Sequence, residues 1–287
     1  MALDSILTKE ATTNREGIHV STTIANQTVW DTLAEENPTH AVISAKDEAA
    51  AAEKSRPQIE DIKTHVSADT VLLDCGAGYR GVAKHLLTAQ PLKGYVAVDS
   101  SYEMLSLFKA RYESTPTEHQ TPVLLVNADI NLLPLAAQSV DVAIVCAVYL
   151  HNHKDIARQA VAELSRVVRP GGKVLVYSSF PRGMSLMGLQ GYAYQALLHL
   201  LGRPYKNGPV RYYRAAEVRQ LFADFAAVEL KPVGFAVLPK TIIILPGPLE
   251  KLYRVGRANP VIALLSRLMP SFLAPYFATY FDVVATR

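Results

Sequence analysis

Three acids stand where apolar runs end. Asp74 closes Val71-Leu72-Leu73 and leads into Cys75-Gly76-Ala77-Gly78-Tyr79-Arg80-Gly81; Asp99 closes Tyr95-Val96-Ala97-Val98; Asp129 follows Val123-Leu124-Leu125-Val126. Carboxylates in such places hold cations or accept hydroxyl protons, and glycines beside them let a ligand reach the backbone and let the turn take a positive φ. Helix N-terminal amides that follow a glycine turn face an anionic group. Asp99, 23 residues beyond Gly76, suits a two-pronged acceptor for a pair of ribose hydroxyls. Past a fourth run, Val140 to Val148, come the candidate bases Tyr149, His151 and His153, of which a histidine can take a proton near neutral pH. Tyr149 and His151 are the catalytic candidates, and His151 reads equally as a residue lining the pocket or capping the next helix. His199, in a Leu-rich stretch, reads as structural.

Two cofactors answer to this pattern. Gly76, Gly78 and Gly81 satisfy G-x-G-x-x-G, the dinucleotide fingerprint. A dinucleotide site favours an apolar residue two before the first glycine, and Asp74 there would repel a pyrophosphate. S-adenosylmethionine carries an ammonium, a sulfonium and no phosphate, so an acid suits it. The residues favour the cationic cofactor, with an NAD(P)-dependent oxidoreductase as the rival class.

The elements that must hold these residues are strands alternating with helices. Val71–Leu73, Tyr95–Val98, Val123–Val126, Val140–Val148 and Val174–Tyr177 are continuous apolar runs, the mark of strands buried on both faces. Between them a helix capped by Ser101 carries Leu105, Phe108 and Tyr112 inward, and another carries Ile156, Val161, Leu164 and Val168. The spacing predicts an α/β fold, a doubly wound, mostly parallel Rossmann-like sheet, with N-terminal helices and a C-terminal helical lobe. Residues 1–66 read as a helical cap outside the sheet, loose up to about residue 20, with Val29, Trp30 and Leu33 on one helical face and a break at Pro57 before a short helix ending near Val66. Residues 67–178 read as the core. Residues 179–287 read as a substrate lid or helical lobe plus the last strands, near Val228–Val233 and Tyr280–Ala285, with a Pro-rich lobe between them.

The sequence resembles the class I S-adenosylmethionine-dependent methyltransferases, in particular the broad group that includes quinone-ring methyltransferases. The first motif, acid-x-Gly-x-Gly-x-Gly, matches Asp74, Gly76 and Gly78 and departs at Arg80, with Gly81 one place late. The second reads Val96-Ala97-Val98-Asp99-Ser100-Ser101-Tyr102-Glu103-Met104-Leu105, the third Ala128-Asp129-Ile130-Asn131-Leu132-Leu133-Pro134, and the fourth Arg166-Val167-Val168-Arg169-Pro170-Gly171-Gly172. The resemblance implies S-adenosylmethionine as cofactor, with Asp74 and Gly76 facing its methionine part, Asp99 the ribose hydroxyls, and Asp129 with Ile130 the adenine; Ala77, Gly78, Ser100, Met104 and Cys146 complete the implied pocket. It also implies methyl transfer at oxygen or carbon, or else the same fold used as a cyclase or binding protein. The Asn-Pro-Pro-Tyr signature of many nitrogen methyltransferases is absent, the stretch reading Cys146-Ala147-Val148-Tyr149-Leu150-His151.

Of the 287 residues, 49% are hydrophobic and 19% charged, which excludes a disordered chain. The formal charge is +3 with no basic run, so nucleic acid is not indicated, and no metal-ligand spacing stands out. Cys75 and Cys146 sit inside apolar runs, which reads as a reducing, cytoplasmic home, and the N-terminus shows no signal peptide. Val261 to Ala285 is interrupted by Arg267, Pro270, Pro275 and Asp282, too broken for a membrane span. Phe180, Met184, Met187, Tyr192, Tyr194, Tyr205, Tyr212 and Tyr213, with Leu249, Leu252, Tyr253, Leu264, Leu265, Leu268, Met269, Phe272 and Phe277, read as core or oligomer interface, or as a pocket for a hydrophobic small-molecule substrate. A homodimer through the C-terminal lobe, or membrane-surface contact through Arg254, Arg257 and Arg267 among apolar residues, are the further partners this pattern suggests.

Overall fold

Every position of β3 (Val71–Cys75) and β4 (Gly94–Asp99) is buried, because both faces of these strands are covered by apolar layers. The computed structural model describes residues 3–8, 12–24, 29–36, 48–79, 86–87, 90–114, 121–202, 210–235 and 278–287. Among them, β1 (Thr12–Arg15), β2 (Ile18–Ser21), β5 (Val123–Asn127), β6 (Val140–Cys146), β7 (Val168–Pro181), β8 (Ala227–Phe235) and β9 (Ala278–Thr286) join β3 and β4 in one sheet. The order is β1-β2-β5-β4-β3-β6-β7-β9-β8. From β2 to β7 all neighbours are parallel, and β1, β9 and β8 add antiparallel edges. Successive connections run one way from β3 to β4 and β5 and the other way to β6 and β7, so the order reverses between β3 and β6. Ligands of doubly wound sheets sit there, beyond the strands' carboxyl ends.

Helices α1 (Val29–Glu36), α2 (Glu48–Lys63), α3 (Tyr102–Glu113), α4 (Lys154–Val167), α5 (Leu186–Leu200) and α6 (Ala215–Leu221) cover the sheet. One apolar layer joins Leu73, Val96, Val145 and Val176 to Ala157, Ala160, Val161 and Leu164 of α4. The spacing of those α4 residues makes a single helical stripe. The other layer joins Leu72, Tyr95, Ile144 and Leu175 to Ile59 and Ile62 of α2 and Leu105 and Phe108 of α3.

Three expectations are corrected. Residues 12–21 are a hairpin, not a loose tail: Glu16 and Gly17 turn with φ of 53° and 81°, the doubly left-handed turn whose twist suits adjacent strands. β2 then pairs with β5, so the N-terminal part lies partly inside the sheet. Pro57 does not break the chain; α2 runs through it and ends at Lys63. The missing amide costs a helix bond, and the docking of Ile59 and Ile62 offsets it. Val168, expected on the helix, opens β7. The phenylalanine-ended β8 and the start of β9 lie together at the carboxyl end of the parallel strands, since Phe235 pairs with Ala278. The late lobe, 236–277, together with Arg80, Gly81 and Tyr205, lies outside the described residues.

Candidate functional site

The glycine turn leaves β3 at its carboxyl end, with Gly76 at φ 74° and Gly78 at φ 60°. Gly76 and Ala77 donate their amides to Val98 O at 2.8 and 3.1 Å, tying the turn to β4. A Cβ on Gly76 would overlap the Val148 side chain, so glycine is needed there for space as well as for φ; at Gly78 no atom of the described residues lies within 4 Å of the Cβ position, so among them φ alone demands glycine.

Asp99 sits across this turn. Its Oδ2 accepts from Gly78 N at 2.8 Å and its Oδ1 from Ser101 N at 2.9 Å. Burial pushes its carboxyl up to about 6, against the pull of the Ser101, Gly78 and Ser100 amides, and Asp31 nearby adds repulsion. Asn127 Nδ2 and Ala128 N donate to Asp99 O, each at 3.0 Å, fixing the strand end. Ser101 caps α3 by accepting from Met104 N at 3.1 Å, as its position predicts. Ser100 stands half-buried between Asp99 and that cap.

Asp74, buried within β3, accepts a 2.5 Å hydrogen bond from the Tyr95 hydroxyl. It faces the α2 side of the sheet with Cys146, whose thiol is pushed up by burial and by Asp74 and Asp282. Asp129 is half-buried just beyond β5; burial raises its carboxyl, which has no side-chain hydrogen bond among the described residues. Ile130 leans on the α4-side core, and Met104 packs with Tyr79 and Ala34. The carboxyl ends therefore bring Asp74, the glycine turn, Asp99, Asp129 and Cys146 to one edge. Among the described residues the side chains at this edge are acidic, a set that fits a cationic ligand with ribose hydroxyls.

The catalytic candidates part company. Tyr149 is buried, its ring stacked on Phe180 with centroids 5.3 Å apart, in the core shared with Phe222. Burial pushes its hydroxyl well up. His151, in the 3-10 turn Tyr149–His151, is half-buried at the site edge, and Trp30 meets its ring edge-on with centroids 5.2 Å apart. His153 is exposed at the N-cap of α4 and makes no side-chain cap bond.

The site also holds residues that the sequence reading left out. Ala147 takes φ 57°, a strained value for alanine, and swings the chain so that Val148 lies over Gly76. From α1, Asp31 is buried, accepts from Ser101 Oγ at 2.6 Å and lies beside Asp99. Trp30, the sole tryptophan, reaches His151 from the same helix. No local pattern in the sequence of α1 announces either role.

Residues 73–176 match the family model described as "Methyltransferase domain". A ubiquinone/menaquinone biosynthesis C-methyltransferase, UbiE, from Syntrophotalea carbinolica is 35% identical over 121 residues, 41% of this chain and 48% of that protein. The chain thus spans about half the length of the curated relative it matches. Among solved structures, the complex of the Haloferax volcanii Trm112 methyltransferase activator with a candidate methyltransferase superposes with a TM-score of 0.54 at 15% identity, covering 91% of this chain and 99% of that one. An S-adenosylmethionine-dependent methyltransferase from Archaeoglobus fulgidus gives 0.51 at 14%, covering 82% and 94%. These structural likenesses speak for the fold.

Proposed function

We propose, for a chain whose residues 73–176 match a methyltransferase-domain family model, that the protein is a class I S-adenosylmethionine-dependent methyltransferase that transfers a methyl group to oxygen or carbon of a hydrophobic small molecule. The observation that carries the reading is the row of acids at three successive strand ends, Asp74, Asp99 and Asp129, around the glycine turn of Gly76 and Gly78.

When bound, S-adenosylmethionine supplies an electrophilic methyl on a sulfonium, displaced in line with the electron pair left on sulfur. The protein's own part is alignment and charge. Asp74, held by the Tyr95 hydroxyl, sets a fixed negative charge on the methionine side. Asp99 accepts the ribose hydroxyls, and the half-buried Asp129 accepts from the adenine amine. His151, at the mouth under Trp30, takes the proton that the methyl acceptor gives up. The hydrophobic acceptor is supported by the apolar, uncharged α5 at the carboxyl end and by the 35% identical quinone-biosynthesis relative.

Calorimetric titration with S-adenosylhomocysteine, with NADH in parallel, tests the cofactor. We expect binding of the first alone, and Asp74→Asn to weaken it about tenfold or more, the loss of one charge-assisted interaction. Binding of NADH alone would replace the reading with an oxidoreductase. Transfer of labelled methyl to an organic-soluble product in a panel of apolar phenols and quinols tests the reaction; cofactor binding with no transfer across that panel would favour a cyclase or binding protein on the same fold.

A further inference from the structure

Helix α5 has the wrong surface for water. From Gly183 to Gly202 the sequence contains no Asp, Glu, Lys or Arg. One face of α5 packs tightly: a Cβ at Gly188 would overlap the carbonyls of Arg182 and Gly183, and one at Gly191 would overlap the Tyr212 hydroxyl. Another face, Leu189, Ala193, Ala196 and Leu200, with His199 beside it, follows helical spacing and points outward, Leu189 54% and Leu200 81% exposed, while Tyr192, 50% exposed, lays its ring on Tyr212 with centroids 4.7 Å apart. Met184 before the helix and Leu201 after it are 71% and 57% exposed. A contiguous exposed apolar patch on an uncharged helix marks an interaction site.

Charge identifies the occupant. Between Tyr177 and Glu217 the sequence has no acid, while Arg182, Arg203, Lys206, Arg211 and Arg214 bracket α5. Arg182 is committed inward, over the Phe281 ring and donating to Ala278 O. Arg211 is half-exposed and Arg214 exposed. A second copy docked through the same patch would bring these cations against themselves. No helix among the described residues is long and apolar enough to cross a membrane.

We infer that α5 lies in the surface of an anionic phospholipid bilayer, its Leu189–Ala193–Ala196–Leu200 face in the acyl boundary and Arg211 and Arg214 on the headgroups. The placement has a consequence for the site. Gln195 Nε2 donates to Val210 O at 3.0 Å, and Arg211 N donates to Leu150 O at 2.8 Å, next to His151. Two hydrogen bonds thus join the membrane-facing helix to the turn that carries the candidate base, and the carboxyl edge of the sheet opens toward lipid, where an apolar acceptor accumulates. This last step rests on the methyltransferase reading; the bilayer contact itself does not.

Flotation of the full chain with vesicles of phosphatidylcholine alone, and with about 30% phosphatidylglycerol, is the test. Binding to the anionic vesicles, weakening with salt, is expected. The double variant Leu189→Ser/Leu200→Ser should lower vesicle affinity about tenfold or more at an unchanged melting temperature, and Arg211→Gln/Arg214→Gln should lower it while flattening the salt dependence. Wild-type protein that melts cooperatively yet does not float with anionic vesicles overturns the inference. So does a wild-type dimer that Leu189→Ser/Leu200→Ser converts to monomer, since a second copy would then cover the face. Flotation retained without S-adenosylhomocysteine binding counts against the methyltransferase reading alone.

Discussion

Asp99 holds two backbone amides with its two oxygens and still has lone pairs for a ribose, but its burial beside Asp31 raises its carboxyl to about 6. Hydroxyls donate more strongly to the ionised form, so affinity for S-adenosylhomocysteine should rise as pH increases through about 6 and level off above it. Calorimetry from about pH 5 to about pH 8 should also show a proton released on binding near the midpoint. Asp31→Asn, which keeps an oxygen for Ser101 Oγ, removes the repulsion and should move the rise to lower pH; an unshifted rise would take Asp31 out of the site. The two catalytic candidates separate as sharply. Tyr149→Phe should leave turnover within about twofold of wild type, because its hydroxyl lies in the core and not at the mouth, whereas His151→Gln should lower kcat about a hundredfold or more at unchanged cofactor affinity. Equal losses in both would restore Tyr149 to the site. The three strand-end acids are legible in the sequence because each closes an apolar run, the end of the strand beyond which a doubly wound sheet holds its ligand. Asp31 is not, because its role exists only once α1 is folded against Ser101 and the Asp99 strand end. Nothing near Asp31 in the chain carries that contact.

At the scale of elements, the glycine turn and the 149–151 turn are fitted to each other through one contact, Val148 over Gly76. Gly76→Ala meets both a left-handed φ and that side chain, and should cost about 2–4 kcal/mol of stability. Among the described residues Gly78→Ala meets only the φ and should cost about 1–2 kcal/mol. Val148→Ala should recover part of the loss in Gly76→Ala and none in Gly78→Ala, read from urea midpoints; equal recovery would mean the overlap is relieved elsewhere. The same physics explains which elements the sequence exposes. β3 to β7 are legible because strands buried on both faces must be apolar throughout. The hairpin Thr12–Ser21 is polar, turns on Glu16-Gly17 and not on the usual Asn-Gly, and gains its place from pairing with β5, a long-range partner that no local pattern announces. Pro57 misleads for the converse reason: packing of α2 outweighs its local breaking tendency.

Buried and half-buried acids, Asp74, Asp99, Asp129 and Asp282, stand toward the carboxyl end of the parallel strands, and stability should register it. On β9, Asp282 accepts from Ser178 N at 2.8 Å and faces Asp61, which itself accepts from the Tyr177 hydroxyl at 2.6 Å. Burial, then Asp61, raises Asp282 to about 6 against the pulls of the Ser178 amide and Lys231. An acid raised in the folded state binds a proton that the unfolded chain releases. Its ionisation therefore favours unfolding: this contribution to stability is whole below about pH 4 and is lost as pH rises through about 6. Asp99 acts with the same sign. His65 acts with the opposite one, since burial and then Lys173 lower it, so its neutral folded form gains stability as pH rises. The pH profile of the wild type sums these, and a single substitution separates them. Asp282→Asn keeps an oxygen for Ser178 N and removes the charge, so it should stabilise the protein by on the order of 1 kcal/mol at pH 7 and by little at about pH 4.5, where wild-type Asp282 is already protonated. Urea unfolding of both proteins at the two pH values reads the difference directly. An equal gain at both would mean that Asp282 is not the group whose proton the fold retains, and that the strain of crowding acids at the carboxyl end is carried elsewhere.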